Sequence, residues 1–477
     1  MEEEFPEVEF EGSEVVVTPS HIAIYIVINI LIGIGLYQVL HNTQQTIAAA
    51  IFIALVIGTL MFWRLRVAIA FIGIVVLLFT RTIDLTSTIE FMNLDVIVFL
   101  IGMMVLVALL KRSGFFCWLL VKAIKATRFR VHLLLAVILV MAAVMAALVD
   151  EVTSILFMCA LMLDFCDYYK VKPVNYIISV VLATNIGSSW TVLGNPIGIM
   201  IAFGSGLTFE DFIRTAMPVG ILSLICLILI LLIWQRKDLN KLHKKIEATP
   251  IRSQLVFLNE WSKAKVNGLF RGSVIIFALV IIGLAIHYRL ELALGLEPNT
   301  LLVAISIGGA GVVMLWQKST AKEILTKEVD WWTLVFFMFL FAKAGCLKYV
   351  GVTDLISNNL MSIGGGNILL LIPLILIFSG LISSVLDNVL VVAMFTPIIQ
   401  SMTTSLGTNA LWWALLFGAC YGGNITMVGS TANIVALGVL EDRKHYHMRF
   451  KYWIKIGLLG GLIPMAVALI ATLLMFH

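Results

Sequence analysis

Residues 131–163 read VHLLLAVILVMAAVMAALVDEVTSILFMCALML, a long apolar run with two acids inside it. Apart from the adjacent acids Asp150 and Glu151, it contains no Asp, Glu, Lys or Arg. A charged side chain at the centre of a bilayer costs roughly 3 kcal/mol or more, so it usually faces a pore or a binding cavity. The two acids therefore indicate a polar site inside a membrane protein.

The same pattern recurs in the second half, where LLLIPLILIFSGLISSVLDNVLVVAMFTPII (369–399) contains Asp387 and Asn388. A duplicated carboxylate within the membrane indicates an ion or proton pathway built from two related halves. The stretches 131–165 and 367–402 each place two apolar arms around a polar tip. These arms, of about 14–19 residues, are shorter than the roughly 20 that a crossing needs, so we predict two re-entrant hairpins.

The amino-acid composition indicates that the chain lies in a lipid bilayer. Hydrophobic residues make up 61% of the chain and charged residues 13%, and the mean hydropathy is +1.05. A soluble domain carries about 25% charged residues, so this is an integral membrane protein. Long apolar runs favour helices over the alternating strands of a barrel. The net charge of +4 is spread over short loops and calls for no nucleic-acid partner.

Other sequence features exclude whole classes of site. The six cysteines lack metal-type spacing and are interpreted as small buried hydrophobes. The eight histidines form neither an HExxH motif nor a Cys/His cluster, so we predict no metal centre. The first 20 residues carry seven Glu and no Lys or Arg, unlike a secretory signal, and we interpret them as a solvated tail.

The apolar runs predict an all-α integral membrane protein with about eleven transmembrane helices plus the two re-entrant hairpins, in two inverted-topology repeats. The predicted spans lie near residues 22–40, 46–63, 67–80, 95–110, 173–203, 216–234, 273–288, 299–316, 331–345, 409–438 and 454–475.

Basic residues set the predicted orientation. The loop from Gln235 to Ser273 carries nine Lys and Arg against three acids. Other basic residues fall on the same side of this map: Arg64, Arg66, Lys111, Arg112, Lys170, Lys172 and those in 441–451. Cytoplasmic loops are enriched in Lys and Arg, so we expect a plasma-membrane protein with its N-terminus in the cytoplasm and its C-terminus outside.

Matching motifs define the two halves. The segment beginning near Asp95 resembles the one near Asp330, 235 positions later, and Asp150 matches Asp387 at an offset of 237. Five spans per half, an odd number, imply that the second half is inverted. The predicted parts are an acidic tail (1–21), an extra N-terminal helix (22–45), a first inverted repeat (46–234), a basic cytoplasmic linker (235–272) with an amphipathic helix, and a second inverted repeat (273–477).

A second pair of motifs follows the hairpins: ATNIGSSWTVLGNPIGI (183–199) and GACYGGNITMVGSTANI (418–434). Gly and Pro within a span break the helix and free backbone groups that neighbours or a ligand must satisfy. The alternative is that small residues merely allow close packing. The candidate substrate- or ion-binding residues are Asp150, Glu151, Asn185, Ser189, Thr191, Asn195, Asp387, Asn388, Asn424, Thr426, Ser430 and Asn433.

The acids at the tips also have a structural interpretation, because Asp and Asn are good N-caps for a second hairpin arm. Two adjacent acids exceed what a cap needs, which favours a functional role for Asp150 and Asp387. Asp95 and Asp330 are expected to start helices. Lys343, inside a predicted span, is expected to snorkel to the surface or to pair with an acid. The segment 113–130 is predicted to be a lateral amphipathic arm.

Several of these motifs are similar to a known superfamily. FLIGMMVLVALLKRSGFFCWLLVKAIKATRFRV, LVDEVTSILFMCALMLDF, ATNIGSSWTVLGNP, SSVLDNVLVVAMFTPII and LFGACYGGNITMVGSTANIVALGV resemble the melanosomal P protein and arsenite-permease-like branch of the ion transporter superfamily. The likeness covers roughly residues 60–475 and extends to bacterial sodium/proton antiporters. It implies a scaffold domain, a mobile transport domain and often a homodimer.

Two departures from the family pattern affect the substrate. The family often has Asp-Asn at both tips, whereas the first tip here is Asp150-Glu151. Related members often have Gly-Asp-Pro-Pro-Asn after the first break, where this chain has Gly194-Asn195-Pro196-Ile197-Gly198. This chain therefore has a second carboxylate at the hairpin tip and none at the broken helix, where related members carry an aspartate.

The sequence therefore predicts a secondary active transporter, not an enzyme, that exchanges a small inorganic ion (sodium, another cation or neutral arsenite) for protons. Sodium- or proton-coupled transport of a di- or tricarboxylate such as citrate is the second candidate, ranked lower because the tip acids would repel a dianion. An ion channel is the alternative from a different functional class. No cofactor is expected beyond sodium or protons as coupling ions, with sodium at Asp150 and Asp387. Expected partners are membrane lipid, a second copy and, since no Walker motif is present, at most a separate ATPase.

Overall fold

The computed structural model describes residues 18–262, 266–444 and 446–476, and every regular element within those ranges is helical. Residues 1–17 of the predicted acidic tail lie outside the described residues, as do Lys263 and Lys265 of the predicted linker. The all-α prediction is confirmed.

Between residues 18 and 234 the chain forms twelve α-helices and a short 3-10 helix, Trp63–Leu65. They are α1 (Pro19–Leu40), α2 (Thr43–Met61), α3 (Arg66–Phe79), α4 (Leu85–Glu90), α5 (Leu94–Arg112), α6 (Phe115–Ala126), α7 (Val131–Leu148), α8 (Glu151–Tyr168), α9 (Val174–Gly187), α10 (Pro196–Ser205), α11 (Phe209–Asp211) and α12 (Met217–Trp234). A π-helical turn, Phe212–Ala216, joins α11 to α12, so the two continue as one apolar rod of 26 residues.

Twelve more helices follow. They are α13 (Arg236–Glu247), α14 (Ile251–Ser262), α15 (Gly268–Leu294), α16 (Thr300–Trp316), α17 (Ala321–Glu323), α18 (Trp331–Tyr349), α19 (Val352–Ile363), α20 (Ile368–Ser383), α21 (Asn388–Leu406), α22 (Ala410–Gly422), α23 (Thr431–Lys444) and α24 (Phe450–Met475). The order from α5 to α10 matches the order from α18 to α23, with a long helix, a short helix, a hairpin and a broken helix in each.

Among the described residues, nine helical segments are long and apolar enough to cross a bilayer. Helices α3 and α16 are shorter, with 14 and 17 residues. The predicted spans 173–203 and 409–438 are each divided in two, at the Gly-rich motifs. A 14-residue helix reaches about 21 Å, against a hydrocarbon core of about 30 Å. The chain is a multi-pass membrane protein, and the number of eleven crossings stays a prediction.

Each predicted hairpin is a pair of helices joined by a short non-helical tip. In the first, α7 ends at Leu148 and α8 begins at Glu151. In the second, α20 ends at Ser383 and α21 begins at Asn388. The two tips therefore lie where the sequence predicted them, and their entry into the membrane from opposite sides stays a prediction.

The first arm of each hairpin packs along the first half of a broken helix. A Cβ on Gly187 of α9 would lie 2.2–2.5 Å from backbone atoms of Ala143 in α7. A Cβ on Gly422 of α22 would likewise lie 2.3–2.7 Å from the backbone of Gly380 in α20. Since these distances leave no room for a side chain, glycine sets how closely the helices approach.

The linker helices are amphipathic, as predicted. In α13 three apolar side chains are buried, those of Leu239, Leu242 and Ile246. The Lys, Arg and Glu residues of the same helix are exposed. In α14, Phe257 stacks on Tyr168 with ring centroids 4.4 Å apart, and Trp261 Nε1 donates to Asp164 at 3.0 Å. The linker therefore docks on the end of the first hairpin.

The position of Lys343 differs from the prediction that it snorkels to the surface or pairs with an acid. Its side chain is buried, 1% exposed, so it does not snorkel, and no acid pairs with it among the described residues. Its Nζ lies 3.4 Å from the Ile69 carbonyl, in space that Gly73 leaves open. The neighbours Ile69 and Gly73 lie in α3, 274 and 270 residues before Lys343, so spacing within its own helix could not reveal them.

Replacing Gly187 or Gly422 by alanine is expected to lower the stability of the protein. Overpacking a tight interior costs about 1–3 kcal/mol, and here the added methyl group meets backbone rather than a movable side chain. The measurement is thermal unfolding of the purified protein in detergent. Gly308→Ala is the matched control, because a Cβ there meets nothing within 4 Å. Equal unfolding temperatures for Gly187→Ala and Gly308→Ala would contradict the packing described.

Candidate functional site

The aspartates at the two tips are N-caps. Asp150 Oδ1 accepts a hydrogen bond from the Thr153 backbone N–H at 2.7 Å and starts α8. Asp387 Oδ1 accepts from the Val389 backbone N–H at 2.9 Å, and its Oδ2 accepts from the Thr431 hydroxyl at 2.5 Å. Each aspartate therefore holds its own second arm, and Asp387 also ties the second tip to the broken helix beyond it.

The residues that follow these aspartates have unsatisfied polar atoms. Glu151 is 3% exposed and Asn388 is 0% exposed. Within the described part of the chain, Glu151 Oε2 and both polar side-chain atoms of Asn388 lack a hydrogen bond of good geometry, and the Asn388 side chain lies close enough to Glu151 to act on its carboxylate. A buried polar group left without a partner costs roughly 1–3 kcal/mol. The two tips therefore meet at a pair of polar side chains with unused hydrogen-bonding capacity.

Asn195 connects the first tip to the broken helix. Its Oδ1 caps α10 by accepting from the Gly198 backbone N–H at 3.0 Å. Its Nδ2 donates to Ser188 Oγ at 3.1 Å and to Cys420 Sγ at 3.6 Å. Because its side chain also interacts with Glu151, Asn195 brings the first tip, the first break and α22 together.

Two threonines fasten the breaks to the hairpins at equivalent positions. The Thr191 hydroxyl donates to the carbonyl of Ala147 at the end of α7. The Thr426 hydroxyl donates to the carbonyl of Ser384, just beyond the end of α20, at 2.5 Å. Sequence analysis offered both hydroxyls as ligands, whereas here they satisfy backbone carbonyls that the ends of helices leave unpaired.

An amide network joins the two halves at the breaks. Asn185 Nδ2 donates to Asn424 Oδ1 at 2.8 Å and to Asn433 Oδ1 at 2.9 Å, and Asn185 Oδ1 accepts from Ser430 Oγ at 3.1 Å. Asn424 and Asn433 in turn donate to backbone carbonyls of both broken helices and of α24. These four predicted site residues therefore hold the two broken helices together.

Ser189 completes the predicted set. Its Oγ donates to the Ile186 carbonyl at 2.8 Å and lies 3.2 Å from the Tyr421 hydroxyl. The twelve predicted residues thus form two groups. Glu151 and Asn388 present unpartnered atoms, next to Asp150, Asp387 and Asn195, while the remaining seven are occupied by protein groups.

Comparison with known proteins identifies the family. The CitMHS family model, described as a citrate transporter, matches residues 52–418 and 351–477. The chain belongs to the CitMHS transporter family. It is therefore a membrane transporter.

Individual relatives agree with this assignment. An uncharacterised transporter of Mycobacterium tuberculosis is 31% identical over 350 residues, which cover 72% of this chain and 78% of the relative. The human P protein is 26% identical over 443 residues, which cover 78% of this chain and 52% of the P protein. The predicted resemblance to the P protein branch is confirmed.

A solved structure has the same fold. The YdaH transporter of Alcanivorax borkumensis superposes with a TM-score of 0.55 at 14% sequence identity, over 82% of this chain and 87% of that one. At this level of identity the likeness concerns the arrangement of helices, so the all-helical transporter architecture predicted from the sequence is confirmed.

Arg66 acts on the candidate site in a way that the sequence did not predict, since it was interpreted only as a loop residue marking the cytoplasmic side. It is 7% exposed, its Nη2 donates to Thr333 Oγ1 at 2.8 Å, and its guanidinium lies 4.1 Å from the Trp63 ring centre and 5.1 Å from that of Phe336. Its charge acts on Asp387. Trp63, three positions before Arg66, was the feature of the sequence that could have indicated an arginine packed on aromatic rings.

Thr191→Val is expected to destabilise the protein. Valine keeps the shape of threonine but cannot donate, which leaves the buried Ala147 carbonyl unpaired at a cost of about 1–3 kcal/mol. Thr191→Ser, which retains the hydroxyl, is the matched control. Thermal unfolding in detergent compares the two. If valine were as stable as serine at this position, the bond would not hold the break to the hairpin.

Proposed function

We propose that this CitMHS-family chain is a secondary active transporter that exchanges a small cation, sodium in the first place, or neutral arsenite, for protons by alternating access. The observation that carries the proposal is the pair of unpartnered, buried side chains at the two tips, Glu151 and Asn388. Their oxygens suit a hard cation, which prefers carboxylate and carbonyl ligands.

Charge supports a cation over an anion. Glu151 interacts electrostatically with both Asp150 and Asp387, so three carboxylates, those of Glu151 and Asp387 buried and that of Asp150 half-buried, share one region. None of the three forms an ion pair among the described residues. Like charges repel strongly away from water, so a multivalent anion would bind here only at a high energetic cost. A cation or a proton instead relieves the repulsion.

In this proposal a cation and a proton compete for the Glu151 carboxylate, and their competition couples the two transport directions. A carboxylate that binds either a cation or a proton releases one when it takes up the other. If the site opens alternately to the two sides, that competition moves the cation and the proton in opposite directions. No ATP is needed, because the gradient of one ion drives the other.

Matching contacts in the two halves support alternating access through inverted repeats. Thr191 and Thr426 lie 235 positions apart, as do Gly187 and Gly422, and each pair makes the same type of contact with its own hairpin. Two related halves that pack in the same way provide two conformations of similar energy, one open to each side.

Ion pairs join helix ends that the proposed plasma-membrane orientation, with the N-terminus in the cytoplasm and the C-terminus outside, assigns to the same side. Arg443 lies 3.3 Å from Asp164, and Lys111 lies 3.0 Å from Glu328, all four at ends assigned to the cytoplasm. Arg289 pairs with Glu210 at 2.8 Å, and both fall at ends assigned to the outside. These contacts agree with the positive-inside assignment.

The description of the family favours a second candidate, sodium- or proton-coupled transport of citrate or another di- or tricarboxylate. Arg66 provides one buried positive charge that acts electrostatically on Asp387 and could attract a carboxylate. One guanidinium against three acids leaves the region negative, so we rank this candidate second.

The decisive experiment is a radiotracer panel in proteoliposomes that offers sodium, arsenite and citrate under an imposed pH gradient. Citrate is offered with and without a divalent cation, because a bound cation offsets its charge. We expect saturable uptake of sodium or arsenite that is driven by an opposing proton gradient. Citrate uptake above both would reverse the ranking, and unsaturable flux that ignores the pH gradient would indicate a channel.

Asp150→Asn and Asp387→Asn are expected to abolish coupled transport without unfolding the protein. Asparagine caps a helix about as well as aspartate, so the second arms still begin correctly, while the charge is lost. The measurement is proton-driven uptake of the substrate found in the panel, with the unfolding temperature as the folding check. Asp95→Asn, at an exposed helix start, is the matched control. Wild-type rates in both tip variants would mean that these aspartates act only as caps.

A further inference from the structure

Helix α14 of the linker covers the end of α8, the second arm of the first hairpin. Trp261 Nε1 donates a hydrogen bond to Asp164 Oδ2 at 3.0 Å. One helical turn further along α8, the Phe257 ring stacks on the Tyr168 ring, with centroids 4.4 Å apart and planes 18° from parallel. Helix α14 also packs against α6, the helix that precedes the hairpin. The linker is therefore fastened to the hairpin by side chains as well as by its place in the chain.

The same end of the hairpin is bonded to the second half of the protein. Asp164 Oδ1 lies 3.3 Å from Arg443 Nη1, and Asp167 Oδ1 lies 2.5 Å from Lys444 Nζ. Arg443 and Lys444 are the last two residues of α23, which follows the break in the second broken helix. Asp164 therefore bonds the linker through one carboxylate oxygen and the second broken helix through the other.

The end of the second hairpin is held in a different way. Ser401 of α21 lies 237 positions after Asp164, the same offset that relates the two tips. Its Oγ donates to Asp354 Oδ1 at 3.2 Å and lies 3.2 Å from Ser357 Oγ, both in the short helix α19. Inverted repeats that pack alike provide two conformations of similar energy, so an element that docks on only one hairpin end favours one of them.

The contact between α14 and α8 is open to water. A groove of about 420 Å³ lies between the two helices. It is lined by Asp164, Asp167, Tyr168, Phe257, Glu260 and Trp261. The four side chains that form the stack and the indole hydrogen bond are half-buried, whereas protein interiors are close-packed. Water competes for half-buried hydrogen bonds, so this contact can break and re-form without unfolding the helices.

We propose that α14 is a strap that docks on the end of the first hairpin in one conformation of the transport cycle and leaves it in the other. The inference rests on the proposed function, because alternating access requires the hairpins to move relative to the helices around them. Helix α14 is followed in the chain by α15, which packs against α16 and α5. A docked strap therefore joins the hairpin to those helices and opposes the movement.

The test fixes the strap in place with a reversible bridge. Asp167→Cys and Glu260→Cys replace two exposed side chains, one from α8 and one from α14, that line the same groove. A bis-methanethiosulfonate reagent bridges them in reconstituted protein, and a reductant removes the bridge. We expect the bridged protein to transport the substrate found in the flux panel at about a tenth or less of its unbridged rate, with recovery after reduction.

The matched control bridges Ser253→Cys to Glu260→Cys, two exposed positions within α14 itself. This bridge leaves the strap free to undock, so we expect the transport rate to stay unchanged. Wild type treated with the same reagent gives the background from the six native cysteines, five of which are buried. Transport by the protein bridged between α8 and α14 at its unbridged rate would overturn the inference.

A second readout needs no transport, so it separates failure of the strap from failure of the proposed exchange. Spin labels on Asp167→Cys and Glu260→Cys report the distance between α8 and α14 in detergent. We expect a short and a longer population, and we expect Trp261→Phe, which removes the indole donor to Asp164, to enlarge the longer one. A single short population with and without Trp261→Phe would overturn the inference.

Discussion

The structure depends on one constraint, that polar groups within a membrane need partners inside the protein. Breaking two helices at depth frees backbone groups, and the chain satisfies them with side chains placed beside each break. Thr191 and Thr426 bond carbonyls at the ends of hairpin arms, and Asn185 bridges the two broken helices. Close helix packing at glycine brings these groups within reach. The breaks are therefore stable features, and the site can be built on them.

Glu151 and Asn388 are among the buried side chains with unpartnered polar atoms, and they are the ones that lie at the hairpin tips. They lie one residue beyond the capping aspartates, so the caps fix the tips while the next side chain faces the region shared with Asn195. In each pair, therefore, the aspartate caps the second arm, and the proposed function adds its charge to the region where the next side chain would meet the cargo. This arrangement also explains how a transporter can keep a rigid site while its surroundings move, since the tips and the broken helices are joined by hydrogen bonds.

Local pattern predicted most of the architecture. The hairpins and the breaks follow from apolar length, Gly, Pro and adjacent acids, all readable within about 30 residues of one another. Contacts between distant segments were not predictable in this way. Arg66 lies against Thr333, Lys343 against Ile69, and the threonine hydroxyls bond carbonyls rather than an ion. Each of these contacts depends on how closely two helices approach. Helices that are far apart in the sequence approach one another only in the folded protein.

The central claim is that the two tips share one ion. A double-mutant cycle of Glu151→Gln and Asn388→Leu on equilibrium sodium affinity, in purified protein, tests it most directly. If both side chains bind the same ion, each single change weakens binding and the double variant loses less than the combined losses, with a coupling of about 1 kcal/mol or more. Strictly additive losses, or no loss in either single variant, would contradict the shared site.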